Sequence, residues 1–247
     1  MTTLQRWLDP ERWPAGARSS VLGFGTAVLV VSATQAQSLD LGTVPVLVAV
    51  LCWLGIAAAV AHGIDTHPHR EFGAANQVTM MRATITALLA GAVPVAAALD
   101  APALGSIATL ALVALALDGV DGWLARTRGQ ASAFGARFDM EVDALLALVM
   151  ALLLWRTGEA GAWVLALGSL RYAFIAAMRV APALAAPLYP SWRRKCVCVV
   201  QVAALALCLM PWVAPPLSSW LLVMALLALL ASFGRDTLWL LRRRARA

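Results

Sequence analysis

Eight long apolar runs leave this chain few ways to fold. They cover approximately residues 21–36, 44–62, 78–99, 103–126, 136–155, 162–181, 196–213 and 219–241. Most approach the ~20 residues that a helix needs to cross the hydrocarbon core of a bilayer. They do not alternate, and they are too long for the strands of a membrane barrel, so helices are expected. Of the 247 residues, 62% are hydrophobic and only 13% are charged, and the mean hydropathy is +0.80. A soluble enzyme or a disordered chain needs far more polar surface. The expectation is an all-α integral membrane protein with about eight transmembrane helices and no internal repeat.

The cationic residues predict its orientation. With the N-terminus in the cytoplasm, the 19 Lys and Arg fall almost entirely at inner ends. Arg156 lies outside, Arg171 falls within a span, and the outer loops near Asp40, Asp100 and Pro215 carry none. That asymmetry favours both termini on the cytoplasmic side, and the expected location is a membrane of the bacterial inner type. The net charge of +6 then reflects basic ends facing anionic lipid, and no basic stripe interleaved with aromatics suggests nucleic acid. Residues 4–13 read as a short interfacial helix bearing Trp7 and Trp13 within an N-terminal segment, 1–20. Residues 242–247 form a basic tail. Cys52, Cys196, Cys198 and Cys208 sit in or beside apolar runs without a Cys-x-x-Cys pair, so buried free thiols are expected.

Carboxylates inside such segments are costly and are functional candidates by default. Asp118 and Asp121 lie three apart near the end of the fourth run, with Gly122 and Ala125 continuing that face. After a polar turn, Gly135, Asp139 and Asp143 recur at intervals of four on the next helix. Four carboxylates cannot stay ionised together without positive charge between them. Hard divalent cations such as Mg²⁺, Mn²⁺ or Ca²⁺ supply it. The small residues let a bulky group approach the backbone, and Arg126 could hold a phosphate oxygen. A two-metal site acting on a diphosphate, with one Asp as base, is one coherent reading. Interhelical ion pairs explain one or two Asp, but not four on two small-residue faces. A cation- or proton-coupled transporter using the same carboxylates is the rival.

The spacing Asp118-x2-Asp121-Gly122-x2-Ala125-Arg126-x8-Gly135-x3-Asp139-x3-Asp143 resembles the signature of the CDP-alcohol phosphotransferase family at every fixed position. Upstream, Asn76, Thr79 and Arg82 look like the family's Asn-x-x-Thr-x-x-Arg opening to its first core helix. The resemblance implies a six-helix core, here residues 76–241, that commonly dimerises. The two helices within residues 21–75 are then an addition to it. It implies transfer of a phosphatidyl group from CDP-diacylglycerol to a small polar alcohol, with release of CMP. Asp118, Asp121, Asp139 and Asp143 would bind two divalent cations, Mg²⁺ or Mn²⁺, and Asp143 would be the general base. Gly122, Ala125 and Gly135 would accommodate the nucleotide. Arg126 would bind the diphosphate, with Asn76, Thr79 and Arg82 nearby.

Arg171 within the sixth run, and Arg193, Arg194 and Lys195 before the seventh, suggest an anion pocket. A phosphorylated acceptor such as glycerol 3-phosphate or an inositol phosphate would suit it. Positive-inside topology is the competing explanation for the last three. His62, His67 and His69 read as an exposed polar loop. Gly168-Ser169 lacks the surroundings of a nucleophile elbow, and no histidine follows it.

Overall fold

The computed structural model describes residues 12–244 apart from 182, 183, 185, 187 and 190. The interfacial helix expected over residues 4–13 therefore lies almost wholly outside the described residues, as does the end of the basic tail. Among the described residues there are eight α-helices and no strand: α1 Ala17–Ser38, α2 Val44–Gly63, α3 Ala74–Ala92, α4 Ala101–Thr127, α5 Ala133–Arg156, α6 Leu165–Val180, α7 Trp192–Leu207 and α8 Leu217–Arg244. Short 3₁₀ segments extend α2 to Thr66 and α3 to Ala98, and another precedes α6.

Six of the eight are long and apolar enough to cross a membrane, counting the 3₁₀ extensions. The exceptions have identifiable causes. The first half of α5 carries Arg137, Asp139, Glu141 and Asp143, and α7 is a 16-residue helix that opens with Arg193, Arg194 and Lys195. Both are helices whose charge serves something other than lipid contact. The protein is an all-α integral membrane protein. Exposed tryptophans support that setting: Trp155, Trp163, Trp212 and Trp220 lie beside the turns that follow α5 and α7. Amphipathic indoles favour headgroup depth.

Local sequence sets the helix starts near the site. Asp100 caps α4 by accepting from the Ala103 N–H at 2.9 Å, with Pro102 in the first turn. Ser132 caps α5 by accepting from the Gly135 N–H at 2.9 Å. Gly73 precedes α3 with φ +83°, a conformation suited to glycine. The first free N–H of α3, on Ala74, donates to Gln130 Oε1 at 3.1 Å, which ties the α4–α5 turn to the start of α3.

Helix α3 is the centre of the arrangement, packing on α1, α2, α4 and α5. One apolar core joins α3 to α4–α8 through residues such as Leu89, Ala111, Met150, Leu167, Leu205 and Leu222. A second forms where α1 and α2 meet α3 and the start of α5, through Val21, Trp53, Met80, Ala83, Phe134 and Phe138. The N-terminal pair is thus packed directly on the helix that opens the resemblance. Small residues make the closest crossings. At Gly168 a Cβ would lie 2.5 Å from Leu148 Cα. Gly168→Val is therefore expected to separate α5 from α6 and to lower stability by more than ~2 kcal/mol. A thermal unfolding midpoint equal to that of the wild type would show that the crossing yields.

Two expectations change. The thiols are free, but only Cys208 is buried, while Cys196 and Cys198 are exposed on α7, where an apolar thiol can face lipid as readily as core. The histidine loop is not simply exposed. The His67 ring packs edge-on to Phe134 with centroids 5.5 Å apart, and His69 Nε2 is buried.

Candidate active site

Three helices meet at the ends nearest the α4–α5 turn. Helix α4 brings Asp118 and Asp121, α5 brings Asp139 and Asp143, and α3 brings Asn76, Thr79 and Arg82. The turn at 128–132 reverses the chain, so the last turns of α4 face the first turns of α5. The i, i+3 and i, i+4 spacings then aim all four carboxylates into one cleft.

Arg82 lies at its floor with no exposed surface. Its Nε donates to the Ala114 carbonyl at 3.0 Å. Its Nη1 donates to Asp121 at 2.9 Å and to Asp139, and its Nη2 donates to Asp143 and lies 3.3 Å from Asp118. One guanidinium thus contacts all four carboxylates. Thr79 donates a further hydrogen bond to Asp121 at 3.0 Å. Asp121 is the buried member, with a side chain 5% exposed, while the other three are about 30% exposed. The cleft therefore has a dry floor and an open mouth.

The donor set fits a hard dication. Asp118, Asp121 and Asp139 each offer an oxygen, and these oxygens lie within 4.8 Å of one another. Oxygen-only donors from charged carboxylates suit Mg²⁺ or Mn²⁺ rather than a soft metal. Asp143 stands outside that group of three although it shares Arg82 with them.

The small residues beside the cleft are partly filled by the protein's own groups. A Cβ on Gly122 would lie 3.3 Å from Arg126 Nη1, so the exposed Arg126 side chain folds back over that glycine. A Cβ on Gly135 would lie 3.0 Å from Asn76 Oδ1 and 3.2 Å from Ser132 Oγ. Asn76 is itself buried and donates to the Phe72 carbonyl at 2.6 Å. Ala125 is half-buried on the Gly122 side.

The cationic residues read from the sequence as an anion pocket have internal partners. Arg171 donates to Glu141 Oε1 at 2.6 Å, across α5 and α6. Arg193 donates to Asp236 Oδ1 at 2.5 Å and to Ser232, while Arg194 lies 3.5 Å from Asp236 Oδ2 and over the Tyr189 ring. Lys195 is exposed and lies over Trp192. Asp236 is buried in α8, and sequence reasoning passed over it and Glu141. Ser232 and Asp236, four apart within a long, mostly apolar run, were the available signal. Two arginines share Asp236, so that group keeps one positive charge beyond neutrality.

A family model described as CDP-alcohol phosphatidyltransferase matches residues 72–231, beginning after α2 and taking in every helix of the cleft. No curated protein and no solved structure matches the chain.

Proposed function

The chain belongs to the CDP-alcohol phosphatidyltransferase family, and we propose that it moves a phosphatidyl group from CDP-diacylglycerol to a small polar alcohol, releasing CMP. The observation that carries this is the convergence of Asp118, Asp121, Asp139 and Asp143 from two helices onto one half-open cleft. Transport through the same carboxylates gives no reason for Gly122, Ala125, Arg126 and Gly135 at their spacings. Asp118, Asp121 and Asp139, with Asp143 beside them, would hold two divalent cations. When bound, Mg²⁺ or Mn²⁺ supplies the positive charge that a diphosphate and a departing CMP require.

The chain's own groups do the rest. Asp143 takes the proton from the acceptor hydroxyl. The hydroxyl oxygen then bonds to the lipid-side phosphorus, and the bond from that phosphorus to the bridging oxygen breaks, the electron pair leaving with CMP. Arg126, exposed at the mouth, swings from Gly122 onto the diphosphate. Asn76 and Gly135 bound the cytidine side, with Ala125 and Gly122 on the α4 wall. Thr79 and Arg82 act from the floor through the carboxylates. The cleft opens to the cytoplasm, so acyl chains stay in lipid while CMP leaves into water. The six helices from α3 onward form the transferase core, and two copies pair as a homodimer.

The acceptor is the finer proposal. A phosphorylated alcohol, such as glycerol 3-phosphate or an inositol phosphate, suits the surplus positive charge that Arg193 and Arg194 leave on Asp236, with the exposed Lys195 next in the chain and Arg171, paired with Glu141, as a further candidate contact. CMP release by the purified protein with Mg²⁺ or Mn²⁺ tests both levels. Glycerol 3-phosphate, inositol phosphate, inositol, serine and choline are added singly. Release is expected with one phosphorylated acceptor. Release with an uncharged, zwitterionic or cationic one instead keeps the reaction and removes the anion pocket. Silence with every acceptor, together with no CDP-diacylglycerol binding, would return the carboxylates to the transporter reading.

A further inference from the structure

We infer that Arg82 is the resident counter-cation of the carboxylate cleft, holding its four ligands in register before any metal arrives and setting the charge of the loaded site. The inference rests on the reading of the carboxylates as a dication site.

A guanidinium has five N–H donors in a planar fork. Here each has a destination: Nε on the Ala114 carbonyl, Nη1 on Asp121 and Asp139, Nη2 on Asp143 and beside Asp118. No donor is left to reach outward, and no part of the side chain is exposed. Arg82 therefore cannot grip a substrate phosphate without surrendering a carboxylate. Its role is exercised on the ligands themselves. Asp118 and Asp121 come from α4, Asp139 and Asp143 from α5, and Arg82 from α3. Without a cation between them, like charges would drive the ends of α4 and α5 apart. A lysine could supply the charge but not the fork that joins two helices at once.

The charge count gives a second consequence. Four carboxylates around one guanidinium leave three formal negative charges. Two dications then make the cleft net positive by one, which attracts an anionic diphosphate. With a neutral residue in place of Arg82, the loaded cleft would be neutral and the empty one more strongly negative. Arg82 thus weakens metal binding and strengthens attraction for the substrate anion. It is a positioning and charge-setting residue rather than a catalytic one.

The test uses full-length protein in detergent, stripped of metal, as wild type, Arg82→Gln and Arg82→Lys. Two quantities are read: the thermal unfolding midpoint with and without Mn²⁺, and Mn²⁺ affinity by electron paramagnetic resonance. Metal-free Arg82→Gln is expected to unfold at a much lower temperature than the wild type. Mn²⁺ should restore most of the loss and bind at least about tenfold more tightly, since a repelling cation has gone. Arg82→Lys keeps the charge, so its Mn²⁺ affinity should stay within about threefold of wild type while part of the metal-free stability is lost. If Arg82→Gln does not fold without metal but folds with Mn²⁺, the inference stands. If Mn²⁺ cannot restore it, or if stability and Mn²⁺ affinity match the wild type, the inference is overturned. Unchanged metal binding with weakened CDP-diacylglycerol binding would make Arg82 a diphosphate ligand instead. A wild type that binds no Mn²⁺ at all would overturn the dication reading as well, and so is distinguishable from failure of Arg82 alone.

Discussion

Asp143→Asn is expected to reduce CMP release by roughly 10²–10⁴-fold, the usual contribution of a positioned general base. Binding of CDP-diacylglycerol should change little. The substitution is nearly isosteric, and the amide oxygen can still accept from Arg82, as Asp143 Oδ1 does. What disappears is an oxygen able to keep the acceptor's proton. The assignment follows from position. Asp118, Asp121 and Asp139 form the compact group that could share an ion, and Asp143 stands one helical turn beyond Asp139 on the same face. Its side chain is 30% exposed, so an acceptor entering the cleft can reach it. Single-turnover CMP release and equilibrium binding of the CDP-lipid measure the two quantities separately. Undiminished turnover would remove Asp143 from the role of base. Loss of lipid binding in parallel with turnover would place it among the ligands of the diphosphate.

Helix existence was legible because lipid enforces it. Backbone groups in a bilayer must be satisfied within the segment, so apolar length translates into helix. The ends were less legible because caps, not hydropathy, decide them. Ser132 starts α5 at Ala133, ahead of the apolar run, and α7 stops at Leu207 rather than continuing to 213, in a turn region containing Pro211. The four Asp were legible because spacing on a helix fixes a face. Arg82 was visible as a residue but not as the partner of all four. Nothing in spacing joins it to Asp118 or Asp143, since that contact is created by the packing of α3 between α4 and α5. The same blindness hid Glu141 and Asp236. Their partners Arg171 and Arg193 looked unpaired because pairing across helices leaves no local signal. An arginine in a span was rightly costly, and a carboxylate on the neighbouring helix lowers that cost by pairing with it.

Asp121→Asn should separate a metal ligand from a structural ion pair more sharply than any other change in the cleft. Asp121 is its only carboxylate with a buried side chain, and it accepts from both Thr79 and Arg82. An asparagine retains one acceptor oxygen for those donors, so the folded state should survive with a small loss of thermal stability. It keeps the shape but only one of the two ligating oxygens and none of the charge that a dication requires. Turnover at limiting Mn²⁺ is expected to fall by at least about 100-fold, larger than the effect of disturbing an outer-shell partner. Raising Mn²⁺ should recover part of it, because lost ligand charge appears as weaker metal affinity before it appears as lost chemistry. Asp118→Asn, at a side chain that already meets solvent, should show the same dependence in milder form. A deficit that no concentration of Mn²⁺ relieves, accompanied by a large fall in the unfolding midpoint, would mean that Asp121 serves Arg82 alone. Asp121 and Arg82 would then be a buried structural ion pair, and the metal would have to be sought at Asp118, Asp139 and Asp143.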